Sequence, residues 1–188
     1  MTLTAQTTET GIPGYEAATW TIDPIHSEVG FSVRHMMVSK VRGRFTKFSG
    51  EIVTGADPRQ SSVTAEIDLS SIDTGQEQRD NHIRSADFFE VETYPTMTYH
   101  STGVRVEDGE YVLDGELTLK GVTRRVPLRL ELNGFGPDAY GGYRAGFTAT
   151  GEINRRDFNV SFSAPMSNGG VVVADKIQLQ LEVEAVRA

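Results

Sequence analysis

With 188 residues, 38% hydrophobic and 23% charged, the chain suffices for one domain with a real core and an ordinary wet surface. A formal net charge of −8 repels phosphate backbones and argues against nucleic acid as a partner, and the absence of cysteine excludes disulfides and thiolate metal sites. No stretch approaches the roughly 20 apolar residues of a membrane-spanning helix, and the start MTLTAQTTETGIPGYEAAT lacks the basic and apolar segments of a secretory signal, so the chain as written is expected in the cytoplasm.

Residues 1–17 are Thr-rich and aperiodic and are expected to form a flexible arm, with one folded domain over 18–188. From Trp20 onward, segments of period two recur at 20–23, 28–35, 41–53, 62–69, 96–106, 110–120, 125–133, 143–153 and 174–186. The alternation is clear in Val126/Leu128/Leu130/Leu132, in Phe147/Ala149/Gly151/Ile153 and in Ile177/Leu179/Leu181/Val183. Such short strands between turn signals predict an all-β antiparallel barrel or sandwich. Within 41–53 the phase inverts: Val41, Gly43 and Phe45 share one face, and Phe48, Gly50 and Ile52 share the other. A bulge or bend between Phe45 and Phe48 would turn both sets inward.

One helix is expected, a crossover over residues 75–89 lying across the barrel end, with Thr74 and Glu77 as a capping box and Phe88 and Phe89 facing inward. Tyr94-Pro95 then forces an extended exit. Asp108-Gly109 predicts a tight hairpin, Asn133-Gly134 through Gly141-Gly142 a longer connection, and Asn168-Gly169-Gly170 a further turn.

The polar constellations carry little chemistry. His26 and His35 sit at opposite ends of one strand, more than about 20 Å apart, and the chain supplies no converging set of metal ligands around them or around His82 and His100. His26-Ser27 lacks a nucleophile elbow, so a turn role for Asp23, His26 and Ser27 is preferred. Gly134-Phe135-Gly136-Pro137-Asp138-Ala139 mimics a dinucleotide fingerprint, but Pro137 forbids the helix that must follow. Asn159-Val160-Ser161 has only the form of a glycosylation acceptor. Lys40, Arg42 and Arg44 share a face, either as the solvated outside of a strand or as a site for an anionic head group at the barrel mouth. The inward alternation alone fits an ordinary packed core before it fits a ligand cavity, although a barrel of about eight strands is the size at which either occurs.

Several ordered motifs go further. Trp20-Thr21-Ile22-Asp23-Pro24, His26-Ser27, Phe31, His35 and Gly43-Arg44-Phe45 open the series. Arg84-Ser85-Ala86-Asp87-Phe88-Phe89, Tyr94-Pro95, Gly115 through Thr123 with Val126, and Ile153-Asn154-Arg155-Arg156-Asp157-Phe158 complete it. Over residues 20–186 the chain resembles the YceI-like family of lipocalin-like, polyisoprenoid-binding proteins. The resemblance implies an antiparallel lipocalin-like barrel crossed by a helix, with an apolar interior that houses a polyprenyl chain, an isoprenoid quinone or another long-chain amphiphile. It also implies that a homodimer is available. The family commonly places glycine after the Asp-Phe pair, where this chain has Asn159, so the same turn at positive φ is expected with slight strain.

The lining expected from strand phase is Phe31, Val33, Phe45, Ile67, Met97, Tyr99, Leu117, Leu128, Phe147, Phe158 and Leu179. A non-catalytic lipid carrier or sequestering protein, with no cofactor beyond such a ligand, follows from these expectations. Two alternatives stand beside it. One is a lipid- or quinone-modifying enzyme using His26, His100 or Asp157; the other is a filled barrel acting through its surface.

Overall fold

The structure, a computed structural model, describes residues 10–164, 166 and 172–188. Strand β1 (Thr19–Ile22) is followed by the hairpin β2 (Glu28–His35) and β3 (Ser39–Phe45), then β4 (Phe48–Val53), β5 (Ser62–Asp68) and the short β6 (Ile72–Asp73). Helix α1 (Glu77–Arg84) intervenes before β7 (Thr96–Glu107) and β8 (Glu110–Leu119). The chain closes with β9 (Val122–Arg125), β10 (Leu128–Pro137), β11 (Tyr143–Asn154) and β12 (Val173–Arg187).

Hydrogen bonding runs β1–β4–β5–β7–β8–β10–β11–β12 and returns from β12 to β1, a closed antiparallel ring of eight strands. Closure leaves no open edge around this ring. The other strands follow from breaks in the wall. β1 and β2 lie end to end along β12, pairing at Trp20↔Arg187 and Phe31↔Leu179. β3 and β4 are one bent strand interrupted at Thr46 and Lys47, the inversion expected between Phe45 and Phe48. β9 and β10 share the edge of β8 and are separated at Pro127, which has no N–H to donate to the ladder.

The helix and one loop differ from expectation. α1 ends at Arg84 rather than 89, where Ser85 turns its amide and hydroxyl back onto the His82 carbonyl. The capping box does not form. Gln76 is the N-cap, and Thr74 instead gives its amide and hydroxyl to the buried Asp80 carboxylate at 2.9 and 2.5 Å. The expected 133–142 connection is mostly strand: β10 runs on to Pro137 through a bulge between Leu132 and Gly134. The remaining turn is held by Asp138, which accepts from the amides of Tyr140 and Gly142 at 2.8 and 2.7 Å. Asp108 and Gly109 both have positive φ, 52° and 79°, as the tight β7–β8 hairpin requires. Asn159 takes the left-handed conformation expected of it, φ 57° and ψ 22°. The turn at 168–170 and residues 1–9 of the expected arm lie outside the described residues.

One barrel end is closed by aromatics. Trp20 is fully buried, its indole N–H donates to Thr54 Oγ1 at 2.8 Å, and Phe135 meets Tyr15, Trp20 and Phe147 with ring centroids 5.2, 5.7 and 5.8 Å away. Gly14 and Tyr15, within the expected arm, therefore contribute to the end wall. The Tyr15 hydroxyl donates to the Gly55 carbonyl at 2.7 Å, and Tyr143 Oη donates to the Gly14 carbonyl at 2.7 Å. Among the described residues no helix is long and apolar enough to cross a membrane.

Candidate functional site: an apolar lumen

The wall encloses a cavity of about 660 Å³, lined by side chains from nearly every strand. Ten of the eleven residues expected from strand phase line it. β2 gives Phe31 and Val33, β3 gives Phe45, β5 gives Ile67, and β7 gives Met97 and Tyr99. Leu117, Leu128, Phe147 and Leu179 come from β8, β10, β11 and β12. Phe158 does not line it. Strand alternation stops at Asn154, whose side chain accepts from the Arg156 amide and starts a 3-10 turn, and Phe158 is packed in the core at 1% exposure.

Two close approaches shape the lining. The Phe31 ring lies over Gly43, its cross-strand partner, and the Tyr99 ring lies over Gly115, so a methyl at either glycine would strike the ring. Tyr99 is fixed further: its hydroxyl donates to the Val126 carbonyl at 2.9 Å, and burial pushes its pKa up, so it stays a neutral donor.

The lining extends beyond the expected set along the same faces, to Phe48 and Ile52, Leu113 and Leu119, Leu130 and Leu132, Ala149 and Ile153, and Leu181 and Val183. The alternation that marked Leu128, Phe147 and Leu179 marked these too. Phe88 and Phe89 face inward as expected. The polar fringe was missed. Tyr15, Thr54 and Ser61 flank one region of the lumen, and Gln76, Arg79 and His82 flank another. Their positions depend on loops and on α1, which have no sheet period to read.

Arg155 also lines the cavity and holds one end together. It is 4% exposed, and its guanidinium donates to the carbonyls of Ala174, Val160 and Phe162 at 3.1, 2.8 and 2.7 Å. Burial pulls its pKa down, yet an arginine so placed remains charged, with Asp175 Oδ1 3.3 Å away.

The groups invoked for catalysis lie elsewhere. His26, His100 and Asp157 are exposed and do not line the lumen. Lys40, Arg42 and Arg44 are likewise on the outer wall, with Arg44 3.6 Å from Asp73. His82 does border the lumen, with Nε2 2.8 Å from Asp87 Oδ2.

A ligand-type cluster does converge, contrary to the sequence expectation: Asp23, His26 and Glu184 place ligand atoms within 4.8 Å of one another. Its centre is cationic. Arg144 donates to Asp23 and Glu184 at 2.8 and 2.7 Å and to Asp138 at 3.0 Å, so this set is an ion-pair network linking β1, β11 and β12. The turn role expected of Asp23, His26 and Ser27 is seen directly. Asp23 accepts from the Ile25 amide at 2.9 Å and from the His26 ring, and Ser27 Oγ donates to the Glu184 carbonyl at 3.1 Å.

Asp23 makes stability pH-dependent. Its bonds from Arg144 first, and from His26 second, hold its carboxyl well below the usual carboxylate range. The unfolded chain therefore takes up this proton first as pH falls. The Asp23 contribution is complete above the unfolded pKa of about 3.9 and is lost below it. Asp23→Asn is expected to lower the urea midpoint at neutral pH and to approach the parent chain progressively as pH falls from about 4 toward the depressed folded value. Parallel curves at all pH values would assign the acid sensitivity to other carboxylates.

A closed eight-stranded antiparallel barrel around an apolar lumen, flanked by helix α1, defines a lipocalin-like barrel. The YceI-like domain profile matches residues 20–185, and the chain belongs to the YceI-like family. It is 40% identical over 136 residues to the protein YceI of Escherichia coli O157:H7, covering 72% of this chain and 71% of that one. It is 36% identical over 175 residues to a UPF0312 protein of Vibrio cholerae, covering 91% and 88%. Among solved structures, Burkholderia cenocepacia BcnA superposes with a TM-score of 0.75 at 25% identity over 87% of this chain and 98% of that one. A polyisoprenoid binding domain from Saccharophagus degradans shares the fold, with a TM-score of 0.65 at 17% identity over 92% of this chain and all of that one (100%).

Proposed function

We propose that this protein binds a long-chain isoprenoid lipid or isoprenoid quinone in the barrel lumen, and carries or sequesters it without chemical change. The observation that supports this most is the lumen itself: about 660 Å³ faced by aliphatic and aromatic side chains from around the ring. That volume lies within the range of small-molecule sites. At about 25 cal/mol per Å², burying a few hundred Å² of tail supplies ample affinity without directional chemistry. The fold shared with a polyisoprenoid binding domain supports the isoprenoid class. The outward placement of His26, His100 and Asp157 supports a non-catalytic role.

Apolar extraction of the purified protein followed by mass spectrometry is expected to release a prenyl-chain lipid or quinone. Stripped protein is expected to take up added polyprenol with its fold unchanged. Recovery of no hydrophobic molecule, together with no uptake, would overturn the proposal.

A further inference from the structure

The β2–β3 hairpin ends in a tip that the barrel does not use. Met36, Met37 and Val38 are 43%, 64% and 84% exposed, three apolar side chains in succession on the turn. Met36 and Met37 both have positive φ, 50° and 63°, and the Val38 amide donates to the His35 carbonyl at 3.2 Å. A turn of this shape favours Asn-Gly, and methionine adopts it at a cost. The sequence thus holds two long, flexible apolar side chains where folding alone would select against them.

The surroundings point to what they meet. The hairpin carries Arg34, Lys40, Arg42 and Arg44 against one acid, Glu28, at its far end, in a chain of net charge −8. Arg34 and Lys40 face each other across the ladder, two residues behind the turn. At about 3.3 Å per residue they trail the tip by roughly 7 Å, within the 5–10 Å depth at which interfacial segments sit below the head groups. The same end carries lumen-lining groups: His35, Val172, Val173 and Phe162 border the cavity, Phe162 is 37% exposed, and the Met36 amide donates to the Val172 carbonyl at 2.8 Å.

We propose that this hairpin docks on an anionic lipid bilayer, with Met36, Met37 and Val38 entering the interface and Arg34 and Lys40 meeting the phosphates. Docking turns the His35–Phe162 end of the lumen toward the membrane. Arg34 and His35 of this hairpin also border the lumen, so the tip is tested with vesicles alone and with a lumen-blocking variant beside it.

The full chain is to be sedimented with phosphatidylcholine vesicles, with and without phosphatidylglycerol. Preferential binding to the anionic vesicles is expected, weakened as salt screens the cations. The variant Met36→Asn/Met37→Gly gives the turn its preferred residues, so its melting temperature is expected to hold or rise while vesicle affinity falls about tenfold or more. Arg34→Gln/Lys40→Gln is expected to abolish the preference for anionic vesicles. A variant blocking the lumen, Ala149→Trp, is expected to bind vesicles as the parent does. The proposal is overturned if the parent chain ignores anionic vesicles, or if the Asn-Gly variant binds them undiminished. Self-association of the parent that the Asn-Gly variant abolishes, with vesicles ignored, would instead assign the tip to a protein contact.

Discussion

Replacing Ala149 by tryptophan is expected to reduce polyprenol uptake by about 100-fold while leaving the barrel folded. Ala149 lines the cavity from β11, between Leu130 of β10 and Leu181 of β12 in the ladder, and it is the smallest side chain in that row. An indole built there enters empty space rather than filled core, so the cost of overpacking falls at the low end of the usual 1–3 kcal/mol. Excluding on the order of 110 Å² of tail contact at about 25 cal/mol per Å² is worth about 100-fold in affinity. The control is Thr150→Trp, one residue on and exposed, which the strand period turns to the outside. Uptake is read by fluorescence of a labelled polyprenol, and folding by circular dichroism. If Ala149→Trp and Thr150→Trp bind alike, the lumen is not where the lipid sits.

That the control lies only one residue away shows how much the period of two decides. Val126/Leu128/Leu130/Leu132 and Ile177/Leu179/Leu181/Val183 could be assigned to one side without any structure, and all eight line the cavity. Even the break between Phe45 and Phe48 was legible, because two apolar sets out of phase demand it. Phe158 was misplaced because no strand period reaches it: the alternation of Phe147, Ala149, Gly151 and Ile153 ends at Asn154, whose side chain accepts from the Arg156 amide and starts a turn. Pro127 and Gly134 moved strand boundaries for the same local reason: one lacks a donor and the other sits at a bulge.

Whether the inward faces meet each other or leave a void was not legible. It depends on the radius of the closed ring and on Tyr15, Phe88, Phe89 and α1 at its ends, none of which repeats along the chain. The Arg144 network was hidden in a different way, since Asp23, Asp138 and Glu184 reach it from positions up to 161 residues apart.

Arg155→Met is expected to destabilise the protein by about 3–5 kcal/mol. The side chain keeps much of its volume, so the loss is chiefly electrostatic. Three carbonyls, of Val160, Phe162 and Ala174, lose their shared donor inside the protein, at bonds of 2.7 to 3.1 Å. Each buried acceptor left without a partner costs about 1–3 kcal/mol, and partial access of water sets the total below the simple sum. Against a typical stability of about 5–15 kcal/mol this is a large share, and the melting temperature is expected to fall by about 10 °C or more. Arg155→Lys is expected to recover less than half of the loss, because an ammonium presents a point charge where three carbonyls converge on a planar fork. The damage should also reach the lumen. The Phe162 carbonyl is one of the three, and the Phe162 ring lies 5.1 Å from His82 and 5.3 Å from Phe88, so releasing it loosens the cavity end that these side chains border. Urea unfolding and polyprenol uptake measured on the same preparations check both consequences. A midpoint equal to that of the parent chain would mean that water can satisfy those carbonyls, and that residues 160–162 are held in place by packing alone.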